Sequence, residues 1–581
     1  MSNKDDEIRK REQEWKDSTV KDAVGRFQFL DESPSRYYTP LDVEDFDFLE
    51  KVNFPGQYPF TAGTYAFRPT AGLARMAARS SSGGGRTRAA GYSGYGTPED
   101  TRDYYQTMID RGGRGGPNLA MDLPTQCGFD SDNPVAEGEV GKVGVAIDTL
   151  RDFEIIYEPY QGDLDLDKIS SNFTMNGMAI YIIAMYAALA EKRGIAWKDL
   201  RATPQNDILK EYIARGTYIF TPTHALRLFR DTLVFLNEHM PRVNITSMGG
   251  YHIREAGANR RQDLAFSMAI AAAYLQAGVD AGLNVDEFAP RFTFNAFGGS
   301  MEFLKEIAFQ RASRRMYAKL LKEKFGAKNP RSMIIRMPMT AHIGPSSTTI
   351  QRPLNNLTRA VLGAVAGALS GGPPNPFPPY DEPLGLGWSA EASQLSTDAG
   401  RILAIEAKLG EIEDPFAGSY AMEAMTDEIE AEAWEEFDKV EAMGGAAAAI
   451  EQGYMQREIS RGAYEHQKKI NTGEALVVGV NCYTGDNELE VETTRLVPHP
   501  YDPERRDRAE GKQITNLQEV KQNRDNGKVR SLLKELEDKA RDEGENLVPH
   551  LIECAKAYVS MQETADVFRK VFGEYEAPSI L

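Results

Sequence analysis

Short runs of β-forming residues alternate with longer amphipathic segments over most of the chain. The alternation starts near Pro55, after a charged, helix-like stretch and an extended arm that together form an N-terminal segment at residues 1–54. Alternating and buried apolar runs predict strands at Asn118–Asp122, Ile169–Met175, Asp199–Thr203, Val243–Met248, Arg291–Asn295 and Ser332–Met337. Segments with apolar residues every three or four positions predict helices such as Met178–Arg193, His224–His239, Arg261–Ala277 and Ser300–Phe325.

Repeated strand–helix units over residues 55–400 are typical of a parallel α/β architecture. A TIM (β/α)8 barrel fits this length best, and its active site would lie at the carboxyl ends of the strands. Residues 401–581 become helical and acidic, with main segments at Met422–Met443, Ala446–Asn471 and Lys528–Lys556 and a strand-like run at Leu476–Asn481. We therefore expect a barrel with an N-terminal arm and a C-terminal helical extension packed on it.

Composition and charge exclude several classes of function. The 581 residues are 41% hydrophobic, as in globular proteins, and carry a formal net charge of −19. The acidic surplus argues against a nucleic-acid binder, because phosphate contact needs clustered cations. Three scattered cysteines share no metal-ligand spacing, so we expect no metal site in this chain and a reducing, cytoplasmic environment. The N-terminus lacks the apolar core of a signal peptide, and no apolar run is long enough for a membrane span.

Two segments carry the candidate chemistry. In TPQNDILKEYIARGTYIF, Arg215 lies in an otherwise apolar pattern, and in GGYHIREAGA, Tyr251 and His252 follow the predicted end of a strand. A guanidinium, a phenol and an imidazole can hold a carboxylate and polarise a carbonyl in a dry pocket. The alternative for Arg215 is a structural ion pair with Asp207 or Glu211.

These segments belong to a longer ordered set. The set is FPGQYPF, DLPTQCGFDSDNP, GEVGKVGVAIDTL, TMNG, QNDILKEYIARGTYIF, GYHIREAGA, DEFAPR, DPFAGSY and VVGVN. In these motifs and their order, the chain resembles the adenosylcobalamin-dependent acyl-CoA mutases from about Pro55 to Phe572, and most of all the large, catalytic subunits of the methylmalonyl-CoA mutase type. The resemblance implies a TIM barrel whose axis admits an acyl thioester, with adenosylcobalamin lying across the strand ends. It also implies a radical 1,2-rearrangement of a carboxylated acyl-CoA of the methylmalonyl-CoA/succinyl-CoA type.

The family's cobalamin-binding motif, DxHxxG, does not occur in these 581 residues, and none of the seven histidines lies in such a motif. The resemblance then implies that a separate small cobalamin-binding subunit with DxHxxG supplies the cobalt ligand, in a hetero-oligomer. It also allows a GTPase repair chaperone as a further partner.

The resemblance assigns roles to individual residues. Tyr92 and Arg215 would hold the substrate carboxylate, whereas family members for uncharged acyl groups have glutamine in place of this arginine. His252 would donate a hydrogen bond to the thioester carbonyl, and Tyr251 would exclude water from the radical. The other implied contacts are Thr203, Gln205, Arg291 and Thr293 for the substrate and Gly94, Glu255 and Glu382 for the cofactor. Without the resemblance, Tyr92 would be an ordinary loop aromatic, His252 a core histidine and Glu382 a surface charge.

Three regions depart from the family pattern. A basic, glycine-rich insertion between Arg68 and Arg88 leaves open which of these two arginines binds phosphate, and whether Tyr58 or Tyr65 approaches the thioester. The family's HxQTSG and QSLHTNS become RMPMTAHIGPSS at residues 336–347 and PNPFPPY within residues 371–383. These changes indicate a different acyl chain or carrier, or a loss of the radical activity. Three hypotheses stay open: a mutase for a carboxylated acyl-CoA, a mutase for a different 2-substituted malonyl- or succinyl-type thioester, and a catalytically silent scaffold that binds the cobalamin subunit.

Overall fold

A computed structural model describes residues 3–26, 37–67, 93–336, 342–343, 345–384, 389–485 and 503–578. The strands within these residues are β1 (Asn118–Ala120), β2 (Ser171–Thr174), β3 (Ala202–Pro204), β4 (Thr246–Gly249), β5 (Phe292–Ala296), β6 (Gly298–Gly299) and β7 (His342–Ile343). The α-helices are Asn3–Trp15, Lys21–Arg26, Phe48–Lys51, Pro98–Asp110, Leu123–Gln126, Leu150–Ile156, Ala179–Lys192, Pro222–His239, Gly250–Glu255, Arg260–Asp280, Val285–Phe288, Phe303–Lys319, Asn355–Leu369, Ala390–Ile405, Tyr420–Ala442, Gly445–Glu451, Tyr454–Thr472, Pro503–Asn523, Asn526–Ala540, Val548–Lys556 and Met561–Phe572.

The strands pair in parallel and in chain order. β1 pairs with β2 and β2 with β3, with Asn172 opposite Thr203, while β4 pairs with β5 and β6 with β7. β3 also lies beside β4, because Ser247 N donates to Gln205 O at 2.9 Å. Helices separate most of these strands in the chain, so the predicted α/β class is confirmed.

The predicted helices between the strands are present, and local sequence signals explain where two of them begin. Pro222 occupies the first turn of Pro222–His239, where its missing N–H leaves no hydrogen bond unmade. Asn259 and Gln262 cap each other's backbone N–H groups at the start of Arg260–Asp280. Ala179–Lys192 is buried over all of its first twelve residues, so this helix lies inside the apolar core and not at its surface.

Two predicted strands are not formed as expected. Ser332 and Met333 belong to the 3-10 turn Pro330–Met333, although the chain beyond it rejoins the sheet where Phe294 N donates to Arg336 O at 2.9 Å. The apolar run Leu476–Asn481 forms a turn, in which the Asn481 side chain accepts from Val477 N and donates to the backbone. An apolar run alone does not distinguish a strand from a packed turn.

The C-terminal residues are helical, as predicted, but two predicted helices are interrupted. Gly453, in the left-handed conformation with φ 68°, separates Gly445–Glu451 from Tyr454–Thr472. An irregular segment separates Asn526–Ala540 from Val548–Lys556. The helix Pro503–Asn523 was absent from the main predicted segments.

The C-terminal helices pack on the strand-containing part through a shared core. Buried apolar side chains form one continuous cluster that extends from Phe60 to Phe572. Buried ion pairs add to it, since Arg311 donates to Glu423 at 2.8 Å and to Asp414 at 3.1 Å. A buried cation is tolerated when carboxylates accept its hydrogen bonds in this way. The predicted division of the chain at residue 400 stays a prediction.

Among the described residues, no single helix is long and apolar enough to cross a membrane. Arg260–Asp280 and Val285–Arg291 reach that length and apolar content only when taken together, and they are bent by 119° relative to each other.

Candidate active site

Arg215 lies in a turn that follows the carboxyl end of β3. It is the last residue of the π-helical turn Glu211–Arg215, which ends at Gly216 with φ 81°, a left-handed conformation that favours glycine. The Arg215 side chain is 26% exposed. It makes no hydrogen bond to any other described residue, so its guanidinium can be reached by a ligand.

Tyr251 and His252 lie where β4 passes directly into the short helix Gly250–Glu255. Their ring centroids are 4.0 Å apart. A side chain on Gly249 would crowd both rings, because its Cβ would lie 3.0 Å from His252 Nδ1 and 3.4 Å from Tyr251 Cε1. The predicted position of the pair at a strand end is therefore observed, and glycine before it lets the rings pack against the backbone.

Asp207 joins the two segments. Its Oδ2 accepts from Gly249 N at 2.9 Å and its Oδ1 from the Tyr274 hydroxyl at 3.0 Å. Burial raises the pKa of Asp207 to about 6. Both oxygens face these donors, and no ion pair joins Asp207 to Arg215 in the described part of the chain. One of the two structural alternatives for Arg215 is thereby not observed.

Glu211 is the acid that approaches Arg215, with Arg215 Nη1 and Glu211 Oε1 3.9 Å apart. The same oxygen forms a much closer ion pair with Lys210, and both of these side chains are buried. Asn176 Nδ2 donates to it at 2.6 Å, and the Thr217 hydroxyl donates to the other oxygen. Burial alone would raise the pKa of Glu211, but Lys210 and then Arg215 lower it below its ordinary value. Glu211 is therefore an ionised carboxylate, and Lys210 is its closer ion-pair partner.

A buried ionic network fixes the helix that carries Tyr251 and His252. Arg254, on the same helix, lies 3.6 Å from Asp263 and 3.0 Å from Glu306. Asp263 also accepts from Gly298 N at 3.1 Å, and burial raises its pKa to about 8. The network ties the helix to β6 and to two long helices, so the backbone under the two rings is held from several sides.

The strand residues expected to contact substrate lie on one face of the strands. The polar residues Asn172, Thr174, Thr203, Ser247, Thr293 and Asn295 alternate with residues that are buried in the core, such as Phe173, Met248 and Phe294. The Thr203 hydroxyl accepts from Asn244 Nδ2 at 2.7 Å, and the Thr293 hydroxyl donates to Thr246 O at 2.7 Å. Gln205 lies just beyond β3, and its Oε1 accepts from Asn176 at 2.8 Å. Small polar side chains on such a face suit a ligand that carries amide and hydroxyl groups.

Arg291 lies at the opposite, amino end of β5. Its Nη1 donates to Leu236 O at 3.1 Å and to Val243 O at 3.3 Å, and its Nη2 donates to Asn237. It thus caps the carboxyl end of Pro222–His239. Burial lowers the pKa of Arg291 to about 10. Its assignment as a substrate contact stays a prediction, and this geometry favours a structural role.

The three expected cofactor contacts differ in what surrounds them. Glu255 accepts from Ser346 N at 2.7 Å and from its hydroxyl at 3.1 Å. Glu382 is different, because its buried Oε2 has no hydrogen-bond partner among the described residues. Burial, and then the nearby Asp381, raises the pKa of Glu382 to about 7. Gly94, with φ 114°, packs so closely on β1 that a Cβ would lie 2.5 Å from Ala120 O.

The remaining candidates lie elsewhere or are not described. Tyr58 packs under Lys322, whose Nζ lies 4.0 Å from the ring centroid, and Tyr65 is 58% exposed. Tyr92, Arg68 and Arg88 lie outside the described residues, as do parts of the altered segment 336–347. No group of three or more His, Cys, Asp or Glu side chains in the described ranges is arranged to hold a metal ion.

Sequence reasoning did not single out Lys210, Asp263 or the role of Gly249. Two signals were available: a lysine beside a glutamate in an apolar pattern, and a glycine pair directly before Tyr251. The role of Asp263 had no local signal, because its partners are distant in the chain.

Arg215, Tyr251 and His252 thus lie at the carboxyl ends of neighbouring parallel strands, where α/β enzymes commonly have their ligand sites. Residues 31–574 match the family described as methylmalonyl-CoA mutase. The chain therefore belongs to the methylmalonyl-CoA mutase family and is an isomerase, an acyl-CoA mutase. Methylmalonyl-CoA mutases depend on adenosylcobalamin.

Curated relatives are similar over most of this chain. The large subunit of 2-hydroxyisobutanoyl-CoA mutase from Aquincola tertiaricarbonis is 37% identical over 544 residues, which are 93% of this chain and 91% of the relative. A probable mitochondrial methylmalonyl-CoA mutase from Caenorhabditis elegans is 35% identical over 92% of this chain and 68% of its own length. Methylmalonyl-CoA mutase from Escherichia coli is 35% identical over 84% of this chain and 66% of its own length. The chain thus spans about two thirds of these two relatives and nearly all of the large subunit.

Proposed function

We propose that this chain is the large, substrate-binding subunit of an adenosylcobalamin-dependent mutase that rearranges the carbon skeleton of a carboxylated acyl-CoA, of the methylmalonyl-CoA/succinyl-CoA type. The observation that carries the proposal is the state of Arg215. It is a half-buried cation that no described residue hydrogen-bonds, and its turn lies beside the helix with Tyr251 and His252. A guanidinium in such a place favours an anionic ligand, because its fork of N–H groups matches a carboxylate.

The residues of the site have separate roles in binding the substrate. Arg215, with Tyr92, holds the terminal carboxylate, and His252 donates a hydrogen bond to the thioester carbonyl. Tyr251 covers the imidazole and keeps water from the reacting carbons. Asp207 fixes the distance between the two groups, because it lies between β3 and the turn with Arg215 and accepts a hydrogen bond from the backbone before Tyr251.

A closed (β/α)8 barrel over residues 55–400 is the arrangement that we propose for the strands, with residues 1–54 as an arm and 401–581 as an extension. Pairing beyond the named strands supports it, because Ser93 pairs in parallel with Leu119 and Arg336 O accepts from Phe294 N. The polar strand face with Thr203 and Thr293 would then line the barrel axis and contact the pantetheine arm of coenzyme A. Tyr58 or Tyr65, Arg68 or Arg88, and Arg291 are the further contacts proposed for that ligand.

The residues present fit the adenosyl group. The buried Glu382 Oε2, which lacks a described partner, is a carboxylate oxygen that can accept from a ribose hydroxyl. Glu255 and the close-packed Gly94 would complete that wall. When bound, adenosylcobalamin supplies the carbon-centred radical that removes hydrogen from the substrate. The likeness to a separate large subunit supports a small partner subunit, which would carry DxHxxG and ligate cobalt, and a GTPase repair chaperone would serve the complex.

The test is turnover by the reconstituted complex. The chain would be purified with a small cobalamin-binding subunit and adenosylcobalamin, and assayed against methylmalonyl-CoA, succinyl-CoA, isobutyryl-CoA and 2-hydroxyisobutanoyl-CoA. We expect isomerisation of a carboxylated substrate, with cob(II)alamin and organic-radical signals in electron paramagnetic resonance only when that substrate is present. No turnover and no radical signal with any thioester would refute the mutase proposal and favour a catalytically silent scaffold that binds the cobalamin subunit.

The similarity to 2-hydroxyisobutanoyl-CoA mutase favours a second candidate, an uncharged acyl group. The same panel separates the two, because this candidate predicts turnover of 2-hydroxyisobutanoyl-CoA in preference to methylmalonyl-CoA. Arg215 argues for the first candidate, since the resemblance implies glutamine at this position in members that act on uncharged acyl groups.

A further inference from the structure

Three charged side chains meet at the turn that follows β3. Glu211 lies between two cations, Lys210 beside it in the chain and Arg215 one helical turn later. Lys210 is 1% exposed and Glu211 is fully buried, whereas Arg215 is partly open to solvent. A single carboxylate therefore has two possible partners, and the two cations lie at different distances from it.

The geometry decides which cation Glu211 matches. Lys210 forms a close hydrogen-bonded pair with Glu211 Oε1, while Arg215 Nη1 stays 3.9 Å from the same atom. Glu211 cannot turn away from either cation, because Asn176 Nδ2 and the Thr217 hydroxyl hold its two oxygens. Without the lysine, a small rotation of the Arg215 side chain would bring it into a charge-assisted hydrogen bond with Glu211.

Stability alone does not explain this buried pair. Removing a lysine and a carboxylate from water is unfavourable, and well-packed apolar residues in their place are often equally stable. Burial lowers the pKa of Lys210, which is the sign of that cost. The other nearby acid, Asp207, is held by Gly249 N and by Tyr274 and does not compete for Arg215. The pair also lies beside Arg215, a cation that is partly open to solvent.

We propose that Lys210 is a positioning residue for substrate selection: by holding Glu211, it leaves the charge of Arg215 unmatched and available to the carboxylate of the acyl group. The inference rests on the proposed function, in which that carboxylate is the ligand of Arg215. It makes selectivity depend on a residue that does not touch the substrate.

The test compares two coenzyme A thioethers that differ only at the end of the chain, S-(3-carboxypropyl)-CoA and S-butyl-CoA. Their dissociation constants for the full-length chain are measured by isothermal titration calorimetry, and their ratio reports selectivity for the carboxylate. In the wild type we expect the carboxylated ligand to bind ~10–100-fold more tightly, as for a charge-assisted hydrogen bond. Lys210→Met should lower this ratio about tenfold, because Arg215 then pairs with Glu211.

Rescue separates this role from a structural one. In the double variant Lys210→Met with Glu211→Gln, no carboxylate remains to capture Arg215, so the ratio should return to within ~3-fold of the wild type. Glu211→Gln alone should give a ratio no lower than that of the wild type. Lys192→Met is the matched control, because Lys192 pairs with Glu154 on the outside of the fold and its loss should leave the ratio unchanged.

Each outcome decides the matter. An unchanged ratio in Lys210→Met, or a double variant as poor as the single one, overturns the inference while the substrate class stands. If Lys210→Met does not fold, a ratio below that of the wild type in Glu211→Gln or in the double variant overturns it equally. A wild type that binds both thioethers alike overturns the inference and the proposed substrate class together.

Discussion

Arg215→Gln should abolish the preference for a carboxylated acyl group and leave the chain folded. The side chain is 26% exposed and meets Glu211 only at 3.9 Å. Ion pairs with such exposure contribute ~0–1 kcal/mol, so we expect the free energy of unfolding to fall by less than ~1 kcal/mol. The stability of the turn comes instead from Glu211, Lys210 and Asp207, which this substitution does not alter.

The effect on the substrate should be much larger. A hydrogen bond to a charged group contributes ~1.5–3 kcal/mol, and one guanidinium can donate two of them to a carboxylate. Loss of the pair, ~3–6 kcal/mol, should therefore lower kcat/KM for methylmalonyl-CoA by ~100–10,000-fold. Isobutyryl-CoA has a methyl group in place of the carboxylate, so its kcat/KM should change by less than ~3-fold.

The assay uses the reconstituted complex with both substrates, and urea unfolding of each variant. Arg291→Gln is the matched control, because Arg291 is also a partly buried arginine but donates its hydrogen bonds at the carboxyl end of Pro222–His239. It should lose ~1–3 kcal/mol of stability and keep the ratio of kcat/KM between the two substrates.

The reasoning would be refuted by either of two results. If Arg215→Gln keeps the wild-type kcat/KM for methylmalonyl-CoA, the guanidinium does not bind the carboxylate. If both substrates lose activity alike, Arg215 supports the site as a whole and does not select the substrate. A loss of selectivity in Arg291→Gln would show that Arg291 contacts the acyl carboxylate as well.

Three further predictions concern the supports of the site and the cofactor wall. Gly249→Ala should lower kcat about tenfold, because the new Cβ lies 3.0 Å from His252 Nδ1 and displaces the ring, and stopped-flow turnover measures this. Asp207→Ala should lower kcat/KM for charged and uncharged substrates equally, since it disconnects the two segments. Steady-state kinetics on both substrates test this, and an unequal loss would contradict it. The pKa of Glu382, raised to about 7, means that the folded chain binds this proton more tightly than the unfolded chain. The free energy of unfolding should therefore fall as pH rises from about 5 to 7, and Glu382→Gln should reduce that slope in urea titrations at several pH values.

The class of fold could be predicted because strands and helices have different periods. Ala179–Lys192 and Arg260–Asp280 are long and flanked by clear turn or cap residues, so pattern alone locates them. The strands are harder, since only three to five residues of β1 to β5 are paired and their ends depend on neighbours far away in the chain. The strand predicted at Leu476–Asn481 is a turn for a local reason: the Asn481 side chain accepts from Val477 N and closes a turn that apolar content does not reveal.

The site was predictable where chemistry is local and unpredictable where it depends on contacts. Tyr251 and His252 are adjacent in the chain, and their position after a strand follows from pattern. Arg291 shows the limit, because the carbonyls that it caps come from a helix end some fifty residues earlier, and this is visible only after folding. For Lys210, the adjacent glutamate in an apolar pattern is a signal for an ion pair, but the burial of both side chains is visible only after folding.

Support and recognition are carried by different residues at this site, and that separation has a consequence for specificity. Lys210, Glu211 and Asp207 are buried, and each hydrogen-bonds other described residues, so a change in any of them disturbs the turn. Arg215 hydrogen-bonds none, and its loss leaves the turn intact. A substitution of Arg215 that changes the class of substrate should therefore hardly alter the free energy of unfolding. The reverse substitution, from glutamine to arginine in a relative for uncharged acyl groups, should add carboxylate binding only where a lysine already matches the glutamate.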